Sequence, residues 1–158
     1  MENYKMSNED KALSRYFGGE PLFNNPEPAF SEWWALMKEC KERGVPHIRV
    51  RPMPRKIPPY VRMEIDWGYN HSSTHGEDIR TLIKEDNQDI KDAWDEEYYL
   101  FDDKRLLYVV YDNEGGFLRF DEEQDPIEIK RRVDQKEVLL KKSVPYNKFV
   151  ALLRSTAV

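Results

Sequence analysis

A chain of 158 residues fits one domain whose core can bury roughly two-thirds of the unfolded surface. Hydrophobic residues at 39%, charged residues at 35% and aromatics at 13% exclude wholesale disorder. The formal charge of −5 excludes a global nucleic-acid footprint, and Cys40, the only cysteine, excludes an intramolecular disulfide or a cysteine-based zinc site.

Residues 1–29 are polar and end in GGEPLFNNPEPA, whose glycines and prolines predict an irregular arm held by Phe17, Leu22 and Phe23. Ser31 reads as a helix N-cap with Glu32 in the first turn. Trp33, Met37 and Cys40 follow at helical spacing, and Gly44 supplies a left-handed stop, so a helix is expected over 31–43. HIRVRPM, residues 47–53, alternates as a half-buried strand. His47, Arg49 and Arg51 form one face, and Ile48 and Val50 form the other, apolar one. YVRMEIDWGY fits a helix through Val61, Ile65 and Tyr69, but Val61-Met63-Ile65-Trp67 also alternates as a strand would. The preceding Pro58-Pro59 favours the helix.

HSSTHGEDIR follows at 71–80. Ser72, Ser73, Thr74 and Gly76 predict a loop, then a strand over 78–84. Residues 85–95 are acidic and irregular. EEYYLFD, RLLYVVYDN and FLRFDEE, separated by Asp102-Asp103-Lys104 and Glu114-Gly115-Gly116, have the signature of a three-strand antiparallel meander. Asp125 and Pro126 open a charged helix over 126–142, and YNKFVALLRS a short final one. The expected fold is α+β: residues 30–158 form a single domain, with helices on a mixed or antiparallel sheet. Trp33, Tyr99, Phe101 and Val110 sit on the apolar phases and are expected to be buried.

Four groups of residues carry possible chemistry. His71 and His75 stand at the spacing of helical metal ligands, but the loop between them lets them diverge, and no metal is expected. Glu77 and Asp78 are expected in one network with Arg80 or another arginine, either as structure or as a ligand pocket. Asp102 and Asp103 suit a strand turn, or a carboxylate cluster with Glu77 and Asp78. RVRPMPRKIPPYVR places Arg49, Arg51, Arg55, Lys56 and Arg62 together with no acid between them, and Tyr60 adds a stacking surface. That stripe is either a solvated, charged edge or a surface for phosphates or acidic partners, and Glu64 and Asp66 stand ready to neutralise it.

GEDIR at 76–80, YYLFDD at 98–103, VVYDNEGGFL at 109–118 and DP at 125–126 occur in an order and spacing that resembles domain-of-unknown-function family 6879. The resemblance runs over residues 30–153 and leaves the N-terminal arm outside. It implies a small protein of a mainly actinobacterial family with no established activity, in a regulatory setting beside helix-turn-helix regulators. More distantly, the run of elements looks like one half of a phospholipase-D-like scaffold, without the His-x-Lys motif of its catalytic centre.

These features point to a non-catalytic regulatory or partner-binding module of the bacterial cytoplasm. It is expected to need no cofactor and to act through a protein partner, such as a helix-turn-helix regulator, or through nucleic acid. Arg49, Arg51, Arg55, Lys56, Tyr60 and Arg62 are its candidate surface. The alternative is a phosphodiester or nucleotide-processing enzyme centred on Glu77, Asp78, Arg80, Asp102 and Asp103. No apolar run approaches the roughly 20 residues of a membrane span, so no membrane role is expected; the oligomeric state stays open.

Overall fold

The computed structural model describes residues 9–21, 28–113 and 115–155. Two small sheets and the helices around them form one α+β domain. Helices α1 (Glu9–Phe17) and α2 (Pro28–Glu42) precede strand β1 (His47–Met53). A continuous helical run follows, from α3 (Pro59–Met63) through a π-helical turn (Glu64–Tyr69) to α4 (Asn70–Thr74). It leads into β2 (Glu77–Ile83), which pairs parallel to β1, so this half is a β-helix-β crossover. After two 3₁₀ turns come β3 (Tyr98–Phe101), β4 (Arg105–Tyr111) and β5 (Phe117–Glu123), the expected antiparallel meander. Helix α5 (Pro126–Lys142) returns to the first sheet, where β6 (Val144–Pro145) pairs antiparallel with β2 and α6 (Tyr146–Ser155) closes the chain.

The helical run explains the double reading of residues 60–69. It is apolar on two sides. Val61, Ile65 and Tyr69 join Met53, Ile79 and Phe149 in the main core over the first sheet. Met63 and Trp67 face the other way and pack on Ala12 of α1. Two opposed stripes on one helix produce the alternation a strand would show. The arm is therefore not irregular where it is described: α1 seals the second stripe, and Tyr16 donates a 2.5 Å hydrogen bond to Asp66. Burial, and then that carboxylate, push the Tyr16 phenol up to about 12. Phe17, expected to anchor the arm, is exposed, and Leu22 and Phe23 lie outside the described residues.

Other boundaries shift by small amounts. Helix α2 starts three residues before Ser31, which therefore lies inside the helix and not at its cap. Residues 71–74 are helical, not a loop, and β2 begins at Glu77. Gly76 turns between them at φ 111°, and a Cβ there would meet the Lys41 side chain at 2.8 Å. Asp125 caps α5 as expected, accepting a 2.9 Å hydrogen bond from the Ile127 amide. Of the four residues expected in the core, Phe101 is 48% exposed, and Trp33, Tyr99 and Val110 are half-buried. Trp33 lies on α2 beside the first sheet, and Tyr99, Phe101 and Val110 belong to a sheet of three strands, too small to cover these side chains on every side.

Candidate functional site

Strand alternation divides β2 into two faces. Glu77, Ile79 and Thr81 point toward the helical run, and Asp78, Arg80 and Leu82 point toward α5. Glu77 and Asp78 therefore belong to two networks, not one. Asp78 is exposed and lies 3.9 Å from Arg80. Arg80 donates to the Ser143 hydroxyl and carbonyl, both at 3.1 Å, and ties β2 to the end of α5.

Glu77 has a wholly buried side chain. Parallel pairing sets it beside His47, with Arg49 one step along the same face. Arg49 Nε donates to Glu77 Oε1 at 2.6 Å, and Trp33 Nε1 donates to Glu77 Oε2 at 3.1 Å. The Arg49 guanidinium lies 5.3 Å from the Trp33 ring centroid and 5.8 Å from that of Tyr69, within cation–π range. Burial works against the Arg49 charge, but Glu77 more than offsets it and holds the pKa above the usual arginine value. His47 Nδ1 stands 3.7 Å from Glu77 Oε1 without a hydrogen bond. Burial pulls its pKa down, Glu77 opposes that pull, and Arg49 adds to it. Further along β1, Arg51 donates to Glu64 Oε2 at 3.1 Å.

This arrangement reverses the expected exposure of β1. Its arginine face lies under the helical run, and Ile48 on the apolar face is exposed. Glu64 and Tyr69 come from the π-helical turn, a local widening often found at functional positions. Burial, then Glu64, raise the pKa of the Tyr69 phenol. The meander adjoins the cluster on one side. The charges of Arg49 and Glu77 reach the Tyr99 phenol, and Tyr111, which donates to Glu97 at 2.7 Å, lies within reach of the Arg51 charge.

The rest of the basic stripe disperses. Arg55 pairs with Asp86, and its backbone amide donates to Glu85 at 2.9 Å. Lys56 is exposed, Tyr60 packs between the two core clusters, and Arg62 lies on α3 near Tyr16. Asp102 and Asp103 form the β3–β4 turn with φ of 50° and 56°, a left-handed backbone that aspartate tolerates better than most residues. Asp103 pairs with Lys136 of α5 at 2.7 Å. Glu77, Asp78, Arg80, Asp102 and Asp103 thus occupy two strand faces and a hairpin tip.

His71 and His75 do converge, because α4 is helical. Their ring centroids are 6.3 Å apart and lie 4.5 and 6.0 Å from that of Trp34. His75 Nδ1 makes a 2.8 Å contact with the His71 carbonyl. Burial, then the neighbouring ring, lower the His71 pKa. Among the described residues no group of three or more His, Cys, Asp or Glu is placed to hold a metal ion.

A second buried charge escaped the sequence reading altogether. Arg132 of α5 lies under the meander against Tyr98 and Tyr108, 4.9 and 5.1 Å from their ring centroids. It donates to Glu96, to Glu128 and to the Tyr108 hydroxyl, which in turn donates to Glu128. The helical spacing of Glu128 and Arg132 was the only sign of it, and the many other charged residues of α5 hid that sign.

The other face of the meander is exposed at Phe101, Phe117 and Phe120 and half-buried at Tyr99, Leu107 and Val109. Cross-strand register puts Tyr99, Phe101, Arg105, Leu107, Val109, Phe117 and Phe120 on one side, opposite the α5 side. The Phe120 centroid lies 4.9 Å from that of Phe117 and 5.9 Å from that of Tyr99. Phe101, Phe117 and Phe120 are all exposed. Against known proteins, the family model described as domain of unknown function (DUF6879) matches residues 1–151, so the N-terminal arm lies inside the match. No curated protein and no solved structure matches the chain.

Proposed function

Because the chain belongs to the DUF6879 family, a domain of unknown function, we propose its role from geometry: a regulatory module that binds a protein partner on the open aromatic face of the meander. The observation that carries this reading is the exposure of Phe101, Phe117 and Phe120 along one face of the sheet, linked through the ring of Tyr99. A protein suits this face better than nucleic acid. The two arginines bordering it, Arg49 and Arg105, are held by Glu77 and Glu122, which leaves little positive charge for phosphates. The enzyme reading has less support, since its five residues point to different sides of the fold. A cytoplasmic setting, expected from the sequence, and a helix-turn-helix regulator as partner, implied by the family resemblance, belong to this proposal. Among the described residues no helix is long and apolar enough to cross a membrane.

Calorimetric titration with a candidate helix-turn-helix regulator tests it. The wild type should bind, and Phe101→Asp should weaken binding roughly tenfold, the scale of one interface anchor, while lowering the melting temperature by only a few degrees. No heat of binding, or equal binding by the variant, would overturn the reading. Salt-sensitive binding of duplex DNA by the chain alone would move it to nucleic acid.

A further inference from the structure

We infer that the outer edge of β5 pairs antiparallel with β5 of a second copy of the chain, about a two-fold axis through Phe120. The inference stands on the strand edge and does not depend on the docking reading of the aromatic face.

Strand β5 pairs with β4 along one edge only, and among the described residues no strand pairs with the other. Natural sheets blunt such edges with charged side chains, lysine above all, and with proline, bulges or very short strands. The other edge of this sheet, β3, has four residues; β5 has seven, FLRFDEE, six of them exposed, with a register shift near its start and charges of both signs but neither lysine nor proline. Its outward amides and carbonyls are a ready template for another strand.

The sequence of β5 specifies both direction and register. A two-fold axis at Phe120 sets Arg119 opposite Asp121 of the partner subunit, and Asp121 opposite Arg119 of the partner subunit. Among the described residues of one chain these two side chains pair with each other, with Nε to Oδ1 at 2.7 Å and both exposed. In the pair they form two reciprocal cross-strand ion pairs. An axis at Arg119 would oppose two arginines, and one at Asp121 would oppose two aspartates. Parallel pairing would run Asp121, Glu122 and Glu123 of both copies side by side. Antiparallel pairing sets Asp121 across from Arg119 and runs Glu122 and Glu123 toward the apolar start of the other strand. The register also keeps the faces matched: Arg119 and Asp121 lie opposite Val110 and Tyr108 on the α5 side, and Phe120 opposite Val109 on the aromatic side. The two Phe120 rings then meet, and two meanders become one six-stranded sheet.

One strand pair buries less than a standard interface of about 1,600 Å², so the dimer should form toward the weak end and be sought up to hundreds of micromolar. Sedimentation equilibrium of the full chain should show a shift from 18.9 kDa toward twice that mass as concentration rises. Arg119→Asp or Asp121→Arg alone sets like charges opposite at two symmetric positions and should weaken the dimer about tenfold or more. The double variant carrying both changes restores two opposite-charge pairs and should recover the wild-type constant. Far-ultraviolet circular dichroism on each variant separates loss of pairing from loss of fold. A monomer at every concentration, a dimer unmoved by either single reversal, or a folded double variant that stays monomeric would each overturn the inference.

Discussion

Glu77 and Arg132 are both buried charges, but the two halves of the molecule hold them in opposite senses. In the β-helix-β half the anion is interior: the Glu77 side chain is 0% exposed and its cation, Arg49, is 35% exposed. In the meander half the cation is interior: the Arg132 side chain is 1% exposed, and one of its carboxylates, Glu96, is 61% exposed. Glu77 has one charged partner within hydrogen-bonding range and one indole donor. Arg132 has two carboxylates, a phenol, the Gln135 carbonyl and two aromatic faces.

The difference follows from the groups themselves. A carboxylate is compact and has no apolar stem, so burying it leaves its charge dependent on a few donors. A guanidinium is broad, stacks on rings and offers five N–H groups, so it can be buried among aromatics and still be served from the surface. The first arrangement is brittle, and loss of one partner strands a charge. The second is redundant, because carboxylates that lose their arginine simply rehydrate.

The largest expected effect breaks the brittle half. Arg49→Ala leaves Glu77 buried without its cation and should cost about 3–5 kcal/mol in urea denaturation. Arg49→Met, which keeps much of the side chain's volume but not its charge, should lose nearly as much. A cost for Arg49→Met well below that for Arg49→Ala would mean that Arg49 acts through packing on Trp33 and Tyr69.

Next come the sheets that carry the two charges. Ile79→Ala, at a residue buried in the main core, should cost about 2–4 kcal/mol. Phe101→Ala, on the open face of the meander, should cost about 1 kcal/mol despite the larger ring, since much of that ring already meets water. Equal midpoints for the two variants would show that the meander face is covered.

Glu96→Ala tests redundancy. Arg132 keeps Glu128, Tyr108 and Gln135, so the cost should stay near 1 kcal/mol, well below that of Arg49→Ala. The smallest effect is a pH dependence. The hydrogen bond from Arg131, with further help from Tyr108 and Arg132, holds the Glu128 carboxyl down at about 2, against 4.5 ordinarily. A depressed folded pKa adds stability that is present above about pH 4.5 and lost as pH falls toward about 2. Urea midpoints for the wild type and Glu128→Gln should therefore converge between about pH 6 and about pH 2.5.

Local signals in the sequence were sufficient for much of this fold. HIRVRPM forms its strand at the expected residues because alternation and β-branching are properties of the segment itself. The three meander strands are bounded by their turn residues, and α5 by Asp125 and Pro126, since caps and turns involve neighbours a few positions apart. That Asp102 and Asp103 belong in a turn was legible for the same reason. Family membership was legible too, through motifs in a characteristic order.

What lay outside the sequence was which face of each element other elements would cover. Alternation in β1 separates an arginine face from an apolar one but does not say which is interior, and the helical run settled on the arginines. Adjacent Glu77 and Asp78 look like one cluster in a string of letters, yet successive strand residues point to opposite sides. Residues 71–74 read as a loop from their serines and threonine, but packing of His71 and His75 on Trp34 carries the helix through them. The donor from Trp33 to Glu77 spans 44 positions, and the reach of Arg132 to Glu96 spans 36. Propensity acts over a few neighbouring residues, whereas burial of a charge requires partners that only the folded chain brings together.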